Sequence, residues 1–309
     1  MNTNLNRAKD AKNDEFYTQL PDIERELKHY REHFKGKVVY CNCDDPTWSN
    51  FFKYFSLNFK KLGLKRLITT CYSGKNENSM PACQLVYDGE QEGNEPDLSR
   101  MNIQFLEGDG DFRSPECVEL LKEADIVVTN PPFSLFREYV DQLVRYKKQF
   151  LIIGNDNAIT YKDTFNWIKE NKIWRGYGKV KEFSRPDGLI QKFGNIGWYT
   201  NLDIAKRHEE FVFTREYIGN EQSYPKYDGY DAINIDKVKD IPSGYNGIMG
   251  VPINFLDRHN PTQFTILGAE EFQDIEVEPR VFQKPTHKLE GSSRLVYKRI
   301  WVKRNCNED

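Results

Sequence analysis

The chain has 309 residues, of which 38% are hydrophobic and 29% are charged, and its formal net charge is −3 at pH 7. This balance is typical of a globular protein with one large domain and a smaller addition, and it excludes a uniformly cationic coat for nucleic acid. We find neither a secretory signal nor an apolar run near the roughly eighteen residues of a membrane span. We therefore expect a cytoplasmic protein without a membrane partner.

Short apolar runs alternate with helical patterns after a polar arm at residues 1–13. The predicted strands cover residues 38–41, 67–71, 103–106, 125–129 and 150–153, and the predicted helices cover residues 22–34, 49–59, 116–122 and 135–146. This alternation indicates βαβ units and a largely parallel sheet. Ligands of such sheets bind beyond the carboxyl ends of the strands, and the polar runs of this chain stand at those ends.

The six cysteines include no Cys-x-x-Cys pair and no Cys/His cluster with the spacing of zinc ligands. We interpret them as small buried side chains in a reducing compartment. The sequence therefore predicts no metal site.

The most informative run is Asn130-Pro131-Pro132-Phe133, which follows a predicted strand and precedes a predicted helix. The two prolines lack an N–H, so they end the strand and stiffen the turn. An exocyclic purine amine has two N–H groups, which the Asn130 side-chain oxygen and the Pro131 carbonyl can accept. Both acceptors stabilise positive charge that develops on the nitrogen, and Phe133 can stack on the base. The alternative is an ordinary proline turn with a capping asparagine.

The run from Asp125 to Tyr139 resembles the catalytic segment of the EcoRI-type adenine-specific DNA methyltransferases. Other runs that resemble this family are residues 14–19, 38–46, 108–114, 223–234 and 245–253. The resemblance extends, with breaks, from about residue 13 to about residue 268. It implies a Rossmann-like, S-adenosylmethionine-dependent methyltransferase fold, with a mostly parallel twisted sheet and a smaller C-terminal target-recognition region. It also implies S-adenosyl-L-methionine as methyl donor and double-stranded DNA as substrate, in a restriction-modification system.

The resemblance also indicates which residues bind the cofactor. These are Phe16, Tyr17 and Thr18 at its methionine end, Asn42, Asp44 and Asp45 in the turn after the first strand, and Asp111 and Phe112 after the third. That first turn lacks the glycines usual in such folds. Asp109 competes with Asp111 for the amine of the cofactor adenine. Alternative roles are a packing contact at a helix entry for Tyr17 and a helix cap for one of the turn aspartates.

We expect Trp198 to stack on the target base from the side opposite Phe133. The alternative is that Trp198 packs in the core. The amine of a paired adenine is inside the duplex, so the base must be flipped out. Two stretches are locally basic: residues 160–200 have eight Lys/Arg against four Asp/Glu, and residues 280–309 have eight against three. We expect residues 14–200 to form the catalytic domain and residues 201–309 to read DNA, in a monomer.

Three other functions remain open. The first is methylation of an RNA base or of a glutamine amide, because an Asn-Pro-Pro-aromatic turn serves that chemistry equally well. The second is a DNA-binding module without activity, against which the intact run from Asn130 to Phe133 argues. The third and weakest is a magnesium nuclease built on Asp109 and Asp111, because no Glu-x-Lys run stands nearby.

Overall fold

A computed structural model describes most of the chain. The described residues are 17–47, 49–73, 81–89, 101, 103–185, 188–269, 288–293, 295–296 and 299–305. The predicted arm at residues 1–13, Phe16 and much of the basic stretch at residues 280–309 lie outside them.

The helices and strands agree with the predicted pattern over most of the first 155 residues. The strands are β1 (Tyr17–Thr18), β2 (Val38–Cys41), β3 (Arg66–Cys71), β4 (Cys83–Tyr87), β5 (Ile103–Phe105), β6 (Ile126–Thr129), β7 (Gln149–Asn155), β8 (Trp174–Ser184), β9 (Ile190–Thr200), β10 (Lys226–Tyr227), β11 (Tyr230–Asn234), β12 (Ile248–Pro252), β13 (Phe264–Ala269) and β14 (Arg299–Arg304). The α-helices are α1 (Leu20–Leu27), α2 (Asn50–Leu57), α3 (Phe59–Leu62), α4 (Pro115–Glu123), α5 (Phe136–Arg145) and α6 (Lys162–Lys169).

The described chain divides into two compact units. The first contains the described residues up to Asp156 together with Gly176–Leu202, and the second contains Asn157–Arg175 and the described residues from Asp203 onward. Helix α6 therefore belongs to the second unit, although it precedes residue 200 in the sequence.

The first unit is built on a nine-stranded sheet with the order β1-β8-β9-β7-β6-β2-β3-β4-β5. Its centre is parallel, because β7, β6, β2 and β3 run in one direction. Antiparallel pairs flank that centre, with β4 and β5 on one side and β9 on the other. The expected α/β class is confirmed, and the sheet is mixed.

Strands β2 and β6 lie in the middle of this sheet, and all of their residues are buried. Central parallel strands are covered on both faces, which is why their sequences, VVYC and IVVT, are continuously apolar or nearly so. Their parallel register places Val39 opposite Ile126 and Tyr40 opposite Val127. The turns that follow the two strands therefore lie side by side at the same edge.

The second unit contains a five-stranded sheet with the order β10-β11-β12-β14-β13. Strands β11 and β12 are parallel, and the other neighbouring pairs are antiparallel. Tyr227 packs edge-on against Trp301 within its core, with ring centroids 4.9 Å apart. In the described residues of both units, no helix has the length and apolar character needed to cross a membrane.

Candidate functional site

One buried carboxylate, that of Asp44, links the turn after β2 to β6, the strand that precedes Asn130. Asp44 is 5% exposed, and its Oδ2 accepts a 2.6 Å hydrogen bond from the Thr129 hydroxyl. Its Oδ1 accepts a 2.8 Å bond from the Ser49 hydroxyl. Burial raises the pKa of Asp44 to about 6, while the two hydroxyl donors act in the opposite direction. Asp44 thus connects β2, β6 and the start of α2.

Helix α2 is capped by Ser49 and not by either aspartate of the turn. The Ser49 hydroxyl oxygen accepts from the backbone N–H groups of Phe51 and Phe52, at 3.1 and 3.3 Å. This is the usual way a serine satisfies the first amides of a helix. The next residue, Asn50, donates its side-chain amide to the Thr18 carbonyl at 2.7 Å. The start of α2 therefore links β1 to the turn after β2.

Asn42 connects the same turn to α5. Asn42 is 2% exposed, and its Oδ1 accepts a hydrogen bond from the Tyr139 hydroxyl. The Tyr139 ring packs edge-on against Phe112, with centroids 5.0 Å apart, and Gln142 donates to the Phe112 carbonyl at 3.1 Å. The segment around Phe112 is thereby held against the turn after β2.

Asp111 is half-buried, and its carboxylate is paired with the Arg113 guanidinium at 2.7 Å. Hydrogen bonds from Arg113 hold the pKa of Asp111 below its ordinary value, against the effect of burial. Asp109 is exposed, and its Oδ1 accepts from the Asp111 amide at 3.0 Å. Gly110 has a φ of +75°, and a Cβ there would collide with the Cys71 carbonyl oxygen. Glycine thus lets this loop approach β3 closely.

The Asn130–Phe133 turn leaves the end of β6 and leads through a short 3-10 turn into α5. Asn130, Pro132 and Phe133 are half-buried, whereas Pro131 is buried. The Phe133 ring meets Phe183 and Phe193 edge-on, with both centroid distances 6.2 Å. The Thr18 backbone is paired with Phe183 across β1 and β8. Phe133 therefore lies near the residues predicted to bind the methionine end of the cofactor.

Trp198 does not offer a face to this site, contrary to the sequence expectation. Its side chain is 1% exposed, and it packs edge-on against Phe51 with centroids 6.0 Å apart. A base cannot stack on a ring that has no exposed face. The aromatic neighbours of Phe133 are instead Phe183, which is fully buried, and Phe193, which is half-buried.

Oγ1 of Thr18 and Nδ2 of Asn42 are buried polar atoms at the site to which the described residues provide no hydrogen-bond partner, on side chains that are 3% and 2% exposed. Leaving a buried donor or acceptor unsatisfied costs about 1–3 kcal/mol. A polar ligand that reaches both atoms would remove this cost. Their positions fit the predicted cofactor site.

The structure brings together Tyr17, Thr18, Asn42, Asp44, Asp45, Asp111, Phe112 and the Asn130–Phe133 turn within the first unit. Residues to which sequence reasoning gave no role are Ser49, Asn50, Tyr139, Phe183 and Phe193. The only local signal among them was Ser49, a preferred cap directly before a helical run. No group of three or more His, Cys, Asp or Glu within the described part of the chain could hold a metal ion.

The family and the three relatives that the chain matches are all methyltransferases. The profile of the family described as adenine-specific methyltransferase EcoRI matches residues 4–305. The chain is 52% identical over 287 residues to the type II methyltransferase M.EcoRI of Escherichia coli, with 85% of this chain and 88% of that protein covered. It is 41% identical over 284 residues to the type II methyltransferase M.MpnI of Mycoplasma pneumoniae, with 86% and 85% covered. It is 40% identical over 285 residues to the type II methyltransferase M.MgeORF184P of Mycoplasma genitalium, with 86% of each covered. No solved structure matches the chain significantly.

Proposed function

Since the chain belongs to the EcoRI family of adenine-specific methyltransferases, we propose that it transfers a methyl group from S-adenosyl-L-methionine to N6 of adenine in double-stranded DNA. Two observations carry this proposal: the turns that contain Asn42 and Asn130 follow neighbouring parallel strands, and Phe133 contacts Phe183, the backbone partner of Thr18. An acceptor for an amine and an aromatic ring thus lie at the same edge of the sheet as two buried polar atoms that fit a polar cofactor. We further propose that the enzyme is the modification half of a restriction-modification system.

The cofactor supplies an electrophilic methyl group on a sulfonium when it is bound. In this proposal the Thr18 hydroxyl binds its amino-acid end, together with the backbone near Tyr17. Asn42 donates its Nδ2 to the same end, because Tyr139 orients the other half of that amide. Asp44 and Asp45 contribute negative charge opposite an ammonium. Asp111 and the Phe112 backbone are assigned to the adenine of the cofactor, with Asp109 as the competing acceptor.

The Asn130 side-chain oxygen and the Pro131 carbonyl accept the two N–H groups of the target amine. The lone pair of this amine is delocalised into the ring, so acceptors that favour a pyramidal, positively charged nitrogen lower the barrier. One preorganised group of this kind typically contributes about 3 kcal/mol. Phe133 stacks on the base, and Phe193 completes the aromatic wall beside it. Such a wall holds the amine in line with the methyl group that it attacks.

The target adenine must leave the helix before Phe133 can reach its ring, which costs a few kcal/mol. Contacts to the flanking phosphates offset this cost and fix the register of the duplex. We assign these contacts, and the reading of the target sequence, to the second unit. A sheet with a parallel centre and candidate ligand-binding turns at the strand ends supports a Rossmann-like classification of the first unit.

The experiment incubates the chain with methyl-labelled S-adenosylmethionine and duplex DNA, RNA or protein in parallel. We expect label on DNA only, at N6 of adenine, and sequencing of a methylated plasmid then gives the target sequence. Label on RNA or protein alone would refute the DNA assignment. Tight DNA binding without any transfer would establish a binding module in place of an enzyme.

A further inference from the structure

Two cysteines of the first unit lie opposite each other on the antiparallel strands β3 and β4. Cys71 is the last residue of β3, Cys83 is the first residue of β4, and the register pairs them directly. Residues that are directly opposite in such a pair project from the same face of the sheet. The two Sγ atoms are 2.9 Å apart, and either thiol can donate a hydrogen bond to the other. The thiols are therefore in direct contact.

Little movement separates this contact from a covalent bond. The S–S bond of a disulfide is about 2.05 Å long, so the two sulfurs have to approach each other by about 0.9 Å. The Cys83 amide also donates to the Cys71 sulfur at 3.2 Å, which holds this sulfur on the side that faces its neighbour. Groups that are already aligned react with a high effective concentration. The fold thus preorganises the pair.

The hydrogen bond between the thiols makes one of them easier to ionise than the other. The Cys71 thiol donates to the Cys83 sulfur and lowers the pKa of Cys83, although burial and the charge of Asp45 act in the opposite direction. The same bond, together with burial, raises the pKa of Cys71. Burial raises the pKa of Cys41 and Cys43 as well. Since the thiolate is the reactive form of cysteine, Cys83 is the attacking sulfur of the pair.

The backbone on either side of Cys71 supports two segments that we assign to the cofactor. The Thr70 carbonyl accepts a 3.0 Å hydrogen bond from the Asp44 amide, and the Ser73 amide donates a 2.8 Å bond to the Asp109 carbonyl. Cys71 is 7% exposed and the opposite cysteine 3%, so local opening of this part of the sheet gives an oxidant access to them. A ligand that binds the closed form makes such opening rarer.

We propose that Cys71 and Cys83 form a reversible disulfide when the chain meets hydrogen peroxide, and that a bound cofactor slows this step. The second part rests on the proposed function. The Cys83 thiolate attacks one peroxide oxygen, the O–O bond breaks, and the departing hydroxide takes up the proton that the thiol released. The Cys71 sulfur then attacks the sulfenic sulfur, the S–O bond breaks, and the Cys71 proton joins the leaving hydroxide as water.

The reaction is balanced, because two thiols lose two electrons to one peroxide, which becomes two molecules of water. A dithiol reductant reverses it by thiol–disulfide exchange. The disulfide joins β3 to β4 beside the segments assigned to the cofactor.

The experiment treats the folded full-length chain with equimolar hydrogen peroxide and then counts thiols in denaturant. The chain has six cysteines, so the count should fall from six to four and return to six after dithiothreitol. Trypsin cleaves after Lys75, which stands between the two cysteines. Mass spectrometry without reductant should therefore find one linked peptide pair that contains Cys71 and Cys83, lighter by two hydrogens than the separate peptides.

Two variants assign the result to this pair. Cys83→Ala should not form the link, whereas Cys117→Ala, at a buried cysteine of α4, should form it as the parent chain does. Six thiols that persist in the treated parent chain would overturn the proposal. Lost thiols that are recovered as sulfinic acid, or in links between other cysteines, would overturn it too.

A further arm adds saturating S-adenosylmethionine before the peroxide. The link should form several-fold more slowly than in the cofactor-free chain, and an unchanged rate would refute the protection by cofactor. Failure of the proposed function is distinguishable from failure of this inference. Absence of methyl transfer by the unsubstituted chain would refute the function, whereas the linked peptides are detected without DNA and without turnover.

Discussion

The Thr129 hydroxyl donates a 2.6 Å hydrogen bond to Oδ2 of Asp44, which joins the last residue of β6 to the turn after β2. Thr129 directly precedes Asn130, so the proposed amine acceptor is one peptide away from this bond. The other Asp44 oxygen accepts from Ser49, the cap of α2. One buried carboxylate therefore holds the proposed cofactor turn and the proposed catalytic turn in a fixed relation.

Asp44→Asn should make the stability of the chain less sensitive to pH. The pKa of Asp44 is about 6 in the folded chain against an ordinary value of 3.8, so folding favours its protonated form. The stability that the folded chain gains from the protonated Asp44 carboxyl is fully present below about pH 3.8 and is lost as the pH rises through 6. This difference between the two pKa values corresponds to about 3 kcal/mol in the free energy of unfolding.

The measurement is urea unfolding of both chains between pH 4 and pH 8. The difference in free energy of unfolding, variant minus parent, should rise by about 2 kcal/mol over this range, because part of the change lies below pH 4. Asn is isosteric, but its Nδ2 can only donate, so one of the two hydroxyl bonds must reverse. The cost of this reversal does not vary with pH, so the pH dependence of the difference reports the charge. A difference that stays constant with pH would mean that Asp44 does not titrate in this window.

Asn130→Ala should lower the rate of methyl transfer by about 100-fold to 1000-fold, because it removes one acceptor of the positive charge that develops on the amine. Single-turnover assays measure this rate directly. Affinity for the cofactor, measured by calorimetry, should be nearly unchanged. Asn58→Ala, at the end of α2, is the control. Transfer that remains at the parent rate would contradict the role of Asn130.

Tyr139→Phe should weaken cofactor binding. The substitution leaves the packing against Phe112 intact and removes the hydroxyl that orients the Asn42 amide. A hydrogen bond of this kind contributes about 1 kcal/mol, so the Kd for S-adenosylmethionine should rise about 5-fold. Tyr199→Phe, which loses a hydrogen bond to the Asn155 carbonyl elsewhere in the same sheet, is the matched control. Equal effects of the two substitutions would indicate general loosening of the fold.

Glu26→Gln should destabilise the first unit. Glu26 is 1% exposed, and its carboxylate accepts 2.7 Å hydrogen bonds from the backbone amides of Tyr177 and Gly178. A glutamine places an N–H donor against one of these amides, at a cost of about 1–3 kcal/mol. Chemical denaturation measures the loss. Glu24→Gln, on the exposed face of the same helix, should change stability by less than about 0.5 kcal/mol.

Much of the first unit was predictable because its central strands are short apolar runs with polar residues at their ends. Strands β2, β3, β6 and β7 follow this pattern, and the turns after β2 and β6 contain most of the candidate site residues. Strand β4 was missed. It lies between β3 and β5 and is antiparallel to both. Local periodicity does not show which strands it pairs with, because that depends on the topology of the sheet.

The sequence offered two roles for Trp198, a contact with the target base and packing in the core, and could not decide between them. A tryptophan in a β-strand can face a core or a cleft, and only its tertiary neighbours decide between them. Here Phe51 of α2 covers it. Phe193, five residues earlier on the same strand, is the ring that meets Phe133. The pairing of β8 and β9 with the rest of the sheet determines that Phe193, and not Trp198, contacts Phe133.

The register between β2 and β6 also has a consequence for the nascent protein. Asp44 and Thr129 are 85 residues apart in the chain, and Asn42 and Tyr139 are 97 apart. A chain emerging from the ribosome has no such bonds until more than half of the first unit has been synthesised, and Phe183 arrives later still. Pairing between distant parallel strands is slow, so the proposed site should be assembled only after all of these segments have been synthesised.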